Sequence, residues 1–224
     1  QQEYTVTVSP SIIKDSGDTV TVKWSNIESP SSEDFLAFYA PPEILTTSAI
    51  NQTVPITFQY AYNSPSHLST GGGALEFRVL NLREDYAVGL FRGGLEAPEL
   101  VALSNVLVVA GKELPTGVHT AFAQGAGGGG GGGDDGLLPL RVTWSARAAV
   151  APAVRYQKLT ADGHPDGQIF EVSADSNTFT REDLCGAPAA TAGFHDPGRV
   201  QTAVLGSLQP EAQYVYWVGD HGTG

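Results

Sequence analysis

Two stretches, Val20-Thr21-Val22-Lys23-Trp24-Ser25 and Leu140-Arg141-Val142-Thr143-Trp144-Ser145, share one pattern: apolar, polar, Val, polar, Trp, Ser. Side chains alternate between the two faces of a strand. The aliphatic residues and the tryptophan therefore fall on one face, and the polar residues on the other. A tryptophan at that position fills the space between two packed sheets. Its recurrence in each half of the chain predicts two modules of the same kind rather than one large domain.

Similar alternating runs surround the first copy: Tyr4–Ser9, Phe35–Tyr39, Pro55–Tyr62, Leu75–Leu80, Tyr86–Phe91 and Leu100–Val109. Between them lie turn clusters such as Asp15-Ser16-Gly17-Asp18, Gly71-Gly72-Gly73 and Arg92-Gly93-Gly94. Short strands at regular spacing, without a helical period, predict a β-sandwich. A second echo is the pair Leu80…Tyr86 and Leu208…Tyr214, each six residues apart. The run Leu208-Gln209-Pro210-Glu211-Ala212-Gln213-Tyr214 has the form of a tyrosine corner, in which the phenol ties a strand back to the preceding turn. The expected fold is all-β: an immunoglobulin-like sandwich over 1–111, then a fibronectin-type-III-like one over 112–224. Residues 125–136 (GAGGGGGGGDDG) interrupt the second. They lack the Gly-Lys-Ser/Thr ending that cradles a phosphate, and glycine buries too little surface to order itself, so a flexible loop is expected there.

The 224 residues carry 27 glycines, 14 prolines and a net charge of −12. That charge, with only 12 scattered Lys and Arg, argues against nucleic acid and anionic membranes as partners. No apolar run reaches membrane length. The chain has no methionine and opens on Gln1-Gln2-Glu3-Tyr4. A mature N-terminus left by signal-peptide cleavage fits, and so does a trimmed chain. Secretion is further suggested by Asn51-Gln52-Thr53, the one glycosylation sequon, which makes Asn51 the candidate glycan acceptor. Cys185 is the sole cysteine. It is either a small buried hydrophobe or, in a secreted chain, half of a disulfide whose partner lies outside these residues.

Candidate chemistry is sparse. His67, His119, His164, His195 and His221 form no H-x-H, H-E-x-x-H or C-x-x-C pattern, and no G-x-S-x-G elbow occurs. A cluster assembled across the fold stays open. Gly219-Asp220-His221-Gly222 spells the Gly-Asp-x-Gly by which phosphoesterases present a metal-binding aspartate. It follows the tyrosine-corner strand, however, and its residues suit a turn. No residue of the chain is assigned a catalytic, cofactor-binding or metal-binding role.

One long loop exceeds any strand or turn rule: Thr180-Arg181-Glu182-Asp183-Leu184-Cys185-Gly186-Ala187-Pro188-Ala189, followed by Gly193-Phe194-His195-Asp196-Pro197-Gly198-Arg199-Val200-Gln201. These blocks, with the Leu208–Gly219 segment after them, resemble the purple acid phosphatases, in which T-R-E-D-M-C-G-A-P-A and G-W-R-D-P-G-Y-I-H precede L-x-P-x-x-x-Y-x-Y-x-x-G. Here Leu184 replaces Met, Phe194 replaces Trp and Gln201 replaces His. In the first module, Glu33–Tyr39, Leu75–Arg83 and Leu90–Leu95 resemble D-D-W-I-G-V-Y, L-x-F-R-L-I-N-x-R and L-F-S-G-G-L of the large plant-type members. The resemblance implies the N-terminal half of a secreted phosphatase of plant or algal type. That family's binuclear site, Fe(III) with Fe, Zn or Mn, lies in a downstream catalytic domain. Four of its five ligand blocks, G-D-x-x-Y, G-N-H-E/D, V-x-x-H and G-H-x-H, are absent here.

The leading expectation is a non-catalytic portion whose parent is a metal-dependent phosphomonoesterase or phosphodiesterase, packed against its own downstream catalytic domain. The alternative is an extracellular structural or glycan-binding glycoprotein module without enzymatic activity. Exposed aromatic residues on a sheet face would favour glycan binding. Self-association and cell-wall or surface components stay open as further partners.

Overall fold

The computed structural model describes residues 3–47, 50, 53–123, 139–147, 151–206 and 208–220. The chain divides into two compact units. The first comprises Gln1–Lys112 with Thr180–Asp196, and the second comprises Glu113–Phe179 with Pro197–Gly224. The residues 180–196 of the long loop thus group with the first unit. Both units are β-sandwiches, and the one α-helix among the described residues is a single turn, α1 (His67–Thr70).

In the first unit one sheet orders β1 (Thr5–Ser9), β3 (Thr19–Ser25) and β6 (Gly73–Arg78), all antiparallel. The facing sheet orders β5 (Thr57–Tyr60), β4 (Phe35–Tyr39), β7 (Ala87–Arg92) and β8 (Glu99–Leu103). The alternation expected for β3 holds, since Val20, Val22 and Trp24 are buried while Thr19 and Lys23 are exposed. They meet Val6, Val8, Leu36, Phe38, Phe77 and Val88 in one apolar cluster. Each such aromatic or branched side chain contributes roughly 1.5–3 kcal/mol by leaving water. Phe38→Ala would cost about 3–5 kcal/mol.

Strand β4 is buried along both faces. Its alternate residues Phe35, Ala37 and Tyr39 join Leu45, Ala87 and Phe91 in a second cluster, where Phe35 and Phe91 stack at 4.9 Å. A third, parallel pair joins the ends of the unit: β2 (Ile12–Ile13) lies beside β9 (Val108–Val109). There Val108 N–H donates to Ser11 O and Ala110 N–H to Ile13 O, both at 2.9 Å.

Two expected runs are cut short. Pro55–Tyr62 yields only β5, because after Ala61 N–H makes the last cross-strand bond, to Asp34 O at 2.8 Å, the chain enters a 3-10 turn, Ala61–Asn63, in which Ser64 N–H donates to Ala61 O at 3.0 Å. The run Leu100–Val109 breaks between β8 and β9, where Asn105 leaves the ladder. Its Oδ1 accepts Val8 N–H at 2.9 Å and its Nδ2 donates to Val8 O at 3.2 Å.

The second unit pairs β10 (Thr116–Phe122), β11 (Leu140–Ala146), β15 (Arg199–Leu205) and β14 (Asp175–Asn177) in one sheet. The other orders β13 (Pro165–Ser173), β12 (Pro152–Leu159) and β16 (Tyr214–Asp220). Val142, Trp144 and Ala146 of β11 are buried, as the repeat requires, and pack with Val154, Tyr156, Ala203 and Leu205. The residues 125–136 expected to form a flexible loop lie outside the described residues.

Candidate functional site

The loop that carries the family resemblance is organised by short-range hydrogen bonds. Thr180 opens a 3-10 turn, Arg181–Asp183, through a capping box: Asp183 Oδ2 accepts the Thr180 backbone N–H at 2.7 Å and its hydroxyl at 3.2 Å. The Thr180 hydroxyl also lowers the pKa of the Glu182 carboxyl. Further along, Ala190 N–H donates to Gly186 O at 2.8 Å and Gly193 N–H to Pro188 O at 2.9 Å, folding the Gly-Ala-Pro stretch back on itself.

Arg181 joins the two blocks. Its Nη1 donates to Thr191 O at 2.8 Å, and its guanidinium sits 4.8 Å from the centroid of the Phe194 ring. A cation over an aromatic face is attracted by the ring quadrupole, worth about 0.5–1 kcal/mol where exposed. This accounts for an aromatic at position 194, where phenylalanine keeps the ring that tryptophan has in the family pattern. His195 is half-buried, and burial lowers its pKa against the opposing charge of Glu84. Cys185 is exposed. Asn51 lies outside the described residues; Thr53 of the same sequon is buried, its hydroxyl 3.5 Å from Ala192 O.

The most convergent polar cluster surrounds His67. Trp24 Nε1–H donates to His67 Nδ1 at 3.2 Å. Because Nδ1 accepts, the ring proton sits on Nε2, which faces Ser31 O at 3.1 Å and Asp34 Oδ2 at 3.2 Å. Arg92 Nε lies 3.5 Å from the other Asp34 oxygen. His67 and Asp34 are fully buried. Both imidazole nitrogens are engaged by protein groups, so neither is left to move a substrate's proton. The cluster is a structural tie that holds α1 and the Ser31–Asp34 turn onto the Trp24 strand. No local pattern announces it, since its members come from positions 24, 31, 34, 67 and 92. Gly71, the left-handed cap of α1, must remain glycine, because a Cβ would meet the Ile27 carbonyl oxygen.

The equivalent tryptophan of the second unit lacks such a tie. Trp144 pairs with Gln201 across β11 and β15. The indole N–H and both amide atoms of Gln201 are buried without a hydrogen-bond partner among the described residues.

Three of the described carboxylates are engaged in structural contacts. Asp34 is paired with His67 and Arg92, Asp18 Oδ2 caps the Lys14 and Asp15 backbone N–H groups at 3.0 Å, and Asp85 binds Lys112 at 2.8 Å. No group of three or more His, Cys, Asp or Glu among the described residues is placed to hold a metal ion. His119 has its Nδ1 3.0 Å from Gly117 O on an exposed strand, and His164 lies in a turn. In Gly219-Asp220-His221-Gly222, Gly219 and Asp220 still belong to β16, opposite Ala153 and Pro152. The expected turn does not include those two residues, because the ladder with β12 runs through them; His221 and Gly222 lie outside the described residues. No described helix is long and apolar enough to cross a membrane.

Comparison with known proteins agrees with this anatomy. Residues 6–111 match the Fn3-like domain from Purple Acid Phosphatase, and residues 139–224 match the Purple acid Phosphatase, N-terminal domain. The fibronectin-type description therefore attaches to the first sandwich. Two Arabidopsis thaliana proteins, "Probable inactive purple acid phosphatase 27" and "Probable inactive purple acid phosphatase 1", are each 32% identical over 95% and 96% of this chain. The chain spans about a third of their length, 34% and 35%. The solved structure of the purple acid phosphatase PPD1 from yellow lupin (Lupinus luteus) seeds aligns with a TM-score of 0.77 at 28% identity, over 96% of this chain and 38% of that one. Two domain matches in order, over the same sandwiches and the same loop, lead to one conclusion: the chain carries the N-terminal domains of a purple acid phosphatase family protein.

Proposed function

We propose that this chain is the non-catalytic N-terminal portion of a secreted purple-acid-phosphatase-like protein. Its parent would hydrolyse phosphate esters at a binuclear site of iron with iron, zinc or manganese, located in its downstream catalytic domain. The sandwiches would then pack against that domain and position it. The observation that carries this reading is the pair of N-terminal domain matches, on a chain whose described residues hold no group of three or more His, Cys, Asp or Glu placed for a metal ion. Glycosylation at Asn51 and a disulfide from Cys185 to a cysteine of the parent belong to the same proposal.

The test compares the purified chain with its full-length parent on an aryl phosphate with added iron and zinc. The expected result is hydrolysis by the parent and none by the chain. Turnover by the chain that co-purifies with it through successive columns would overturn the assignment. A parent that binds no metal would instead favour the second reading, an extracellular structural or glycan-binding module. The "inactive" in the names of the Arabidopsis relatives and the exposure of Trp217 support that second reading.

A further inference from the structure

Trp217 is the one tryptophan not used in a core. It is 46% exposed, whereas Trp24 and Trp144 are 3% and 1% exposed. In β16, Tyr214 and Val218 pack against the core of the second sandwich, so the odd-numbered Trp217 faces outward. Its cross-strand partner on β12 is Arg155, whose partner on β13 is Glu171. The three side chains form one row across the outward face of this sheet. Arg155 Nε donates to Glu171 Oε2 at 2.6 Å, and both side chains are nearly half exposed. The terminal guanidinium nitrogens have no hydrogen-bond partner among the described residues. The adjoining row, Gly219, Ala153 and Ser173, carries no side chain larger than a hydroxymethyl group.

We propose that this face binds a neutral, β-linked polysaccharide, with one sugar ring stacked on Trp217 and its hydroxyls hydrogen-bonded by Arg155 and Glu171. The chemistry of the row selects this occupant. A pyranose with equatorial substituents has a flat face of C–H bonds and a rim of hydroxyls. It needs an aromatic plane beside planar donors and acceptors, which is the composition found here. A polypeptide interface would be centred on uncharged side chains, because interface cores are depleted of charged groups. Here the tryptophan stands next to an ion pair that remains in water. The pair has no net charge and the chain carries −12, so polyanionic glycans are disfavoured and uncharged ones are not. This deepens the glycan-binding reading and does not depend on whether the parent hydrolyses phosphate.

The test is affinity electrophoresis of the 224-residue chain through gels containing cellulose-derived β-glucan, with polygalacturonate as the anionic control. Intrinsic fluorescence is titrated with cellohexaose in parallel. Retardation by the neutral glucan alone is expected, with an emission shift of the exposed indole. Trp217→Ala should weaken binding at least about tenfold, or 1.4 kcal/mol, and abolish the shift. Trp217→Phe should keep part of the affinity, and Arg155→Met should lose part. Unchanged thermal melting of each variant separates lost binding from lost folding. No retardation of the wild type, or retardation unaffected by Trp217→Ala, would overturn the proposal. So would shielding of Trp217 from acrylamide in the full-length parent together with no glycan binding, which would assign the face to a polypeptide contact. None of these outcomes bears on the phosphatase assay.

Discussion

The hydroxyl of Tyr86 lies 2.7 Å from the carbonyl oxygen of Leu80, six residues before it, and donates its proton there. Tyr214 makes the reverse bond: its hydroxyl accepts the Gln209 backbone N–H at 3.1 Å. Both tie a strand to the turn before it, but Tyr86 is 1% exposed and Tyr214 is half-buried. The first hydroxyl is itself buried and makes its bond out of water, whereas the second lies on a strand that water reaches. Tyr86→Phe should therefore cost about 1–3 kcal/mol in urea unfolding, and Tyr214→Phe about 1 kcal/mol or less.

The same burial raises the pKa of the Tyr86 phenol above the ordinary tyrosine range. A raised folded pKa gives stability that is complete below the unfolded value, about 10, and is lost as pH rises through the folded value. The stability difference between wild type and Tyr86→Phe should thus be constant from neutral pH to about 10 and shrink above it. Denaturation series between pH 8 and 11.5 measure this. A difference that grows with pH would contradict the assignment.

His67 tests whether the buried cluster is structural. His67→Ala leaves the Trp24 indole N–H without its acceptor and takes the imidazole from Asp34 in a fully buried site, where Arg92 and the Ser31 N–H remain its partners. A loss of about 3–5 kcal/mol is expected, with His67→Gln intermediate because an amide can both accept and donate. Urea unfolding followed by tryptophan emission reads the effect directly. Near-neutral stability in His67→Ala would show that the tie is dispensable.

Cys185 is exposed at the turn of its loop. In this chain it should react fully with a thiol reagent without denaturant. In the full-length parent it should be protected until a reductant is added, as a disulfide requires. Peptide mapping under non-reducing conditions identifies the partner. A freely alkylated Cys185 in the native parent would count against the bridge.

Strand β3 lies where alternation placed it and β4 where an unbroken apolar run did, because in each the pattern of apolar side chains coincides with the pattern of burial. The tyrosine corners were legible for a similar reason: the interaction closes within six residues. The interruption at Asn105 was not, since a side chain there substitutes for strand pairing with Val8, 97 residues away. The His67 cluster was illegible on the same ground, with 43 residues between Trp24 and His67. Arg181 and Phe194 were both within recognised blocks, yet only the folded loop shows that one lies over the other. For Trp217, the strand was legible and the exposure was not, because "YVYWVG" is aromatic on both faces.

The pairing of β2 with β9 bears on how the first sandwich responds to tension. These strands lie near the two ends of the unit and run parallel, Ile12 beside Val108 and Ile13 beside Val109. Pulling the ends of the unit apart along those strands drags them past each other in opposite directions. The bonds Val108 N–H to Ser11 O and Ala110 N–H to Ile13 O are then loaded in shear and must break together. A hairpin pulled from its open end would instead unzip one bond at a time. The short clasp adds little to equilibrium stability, but it makes the module stiff against a force that stretches it between its ends.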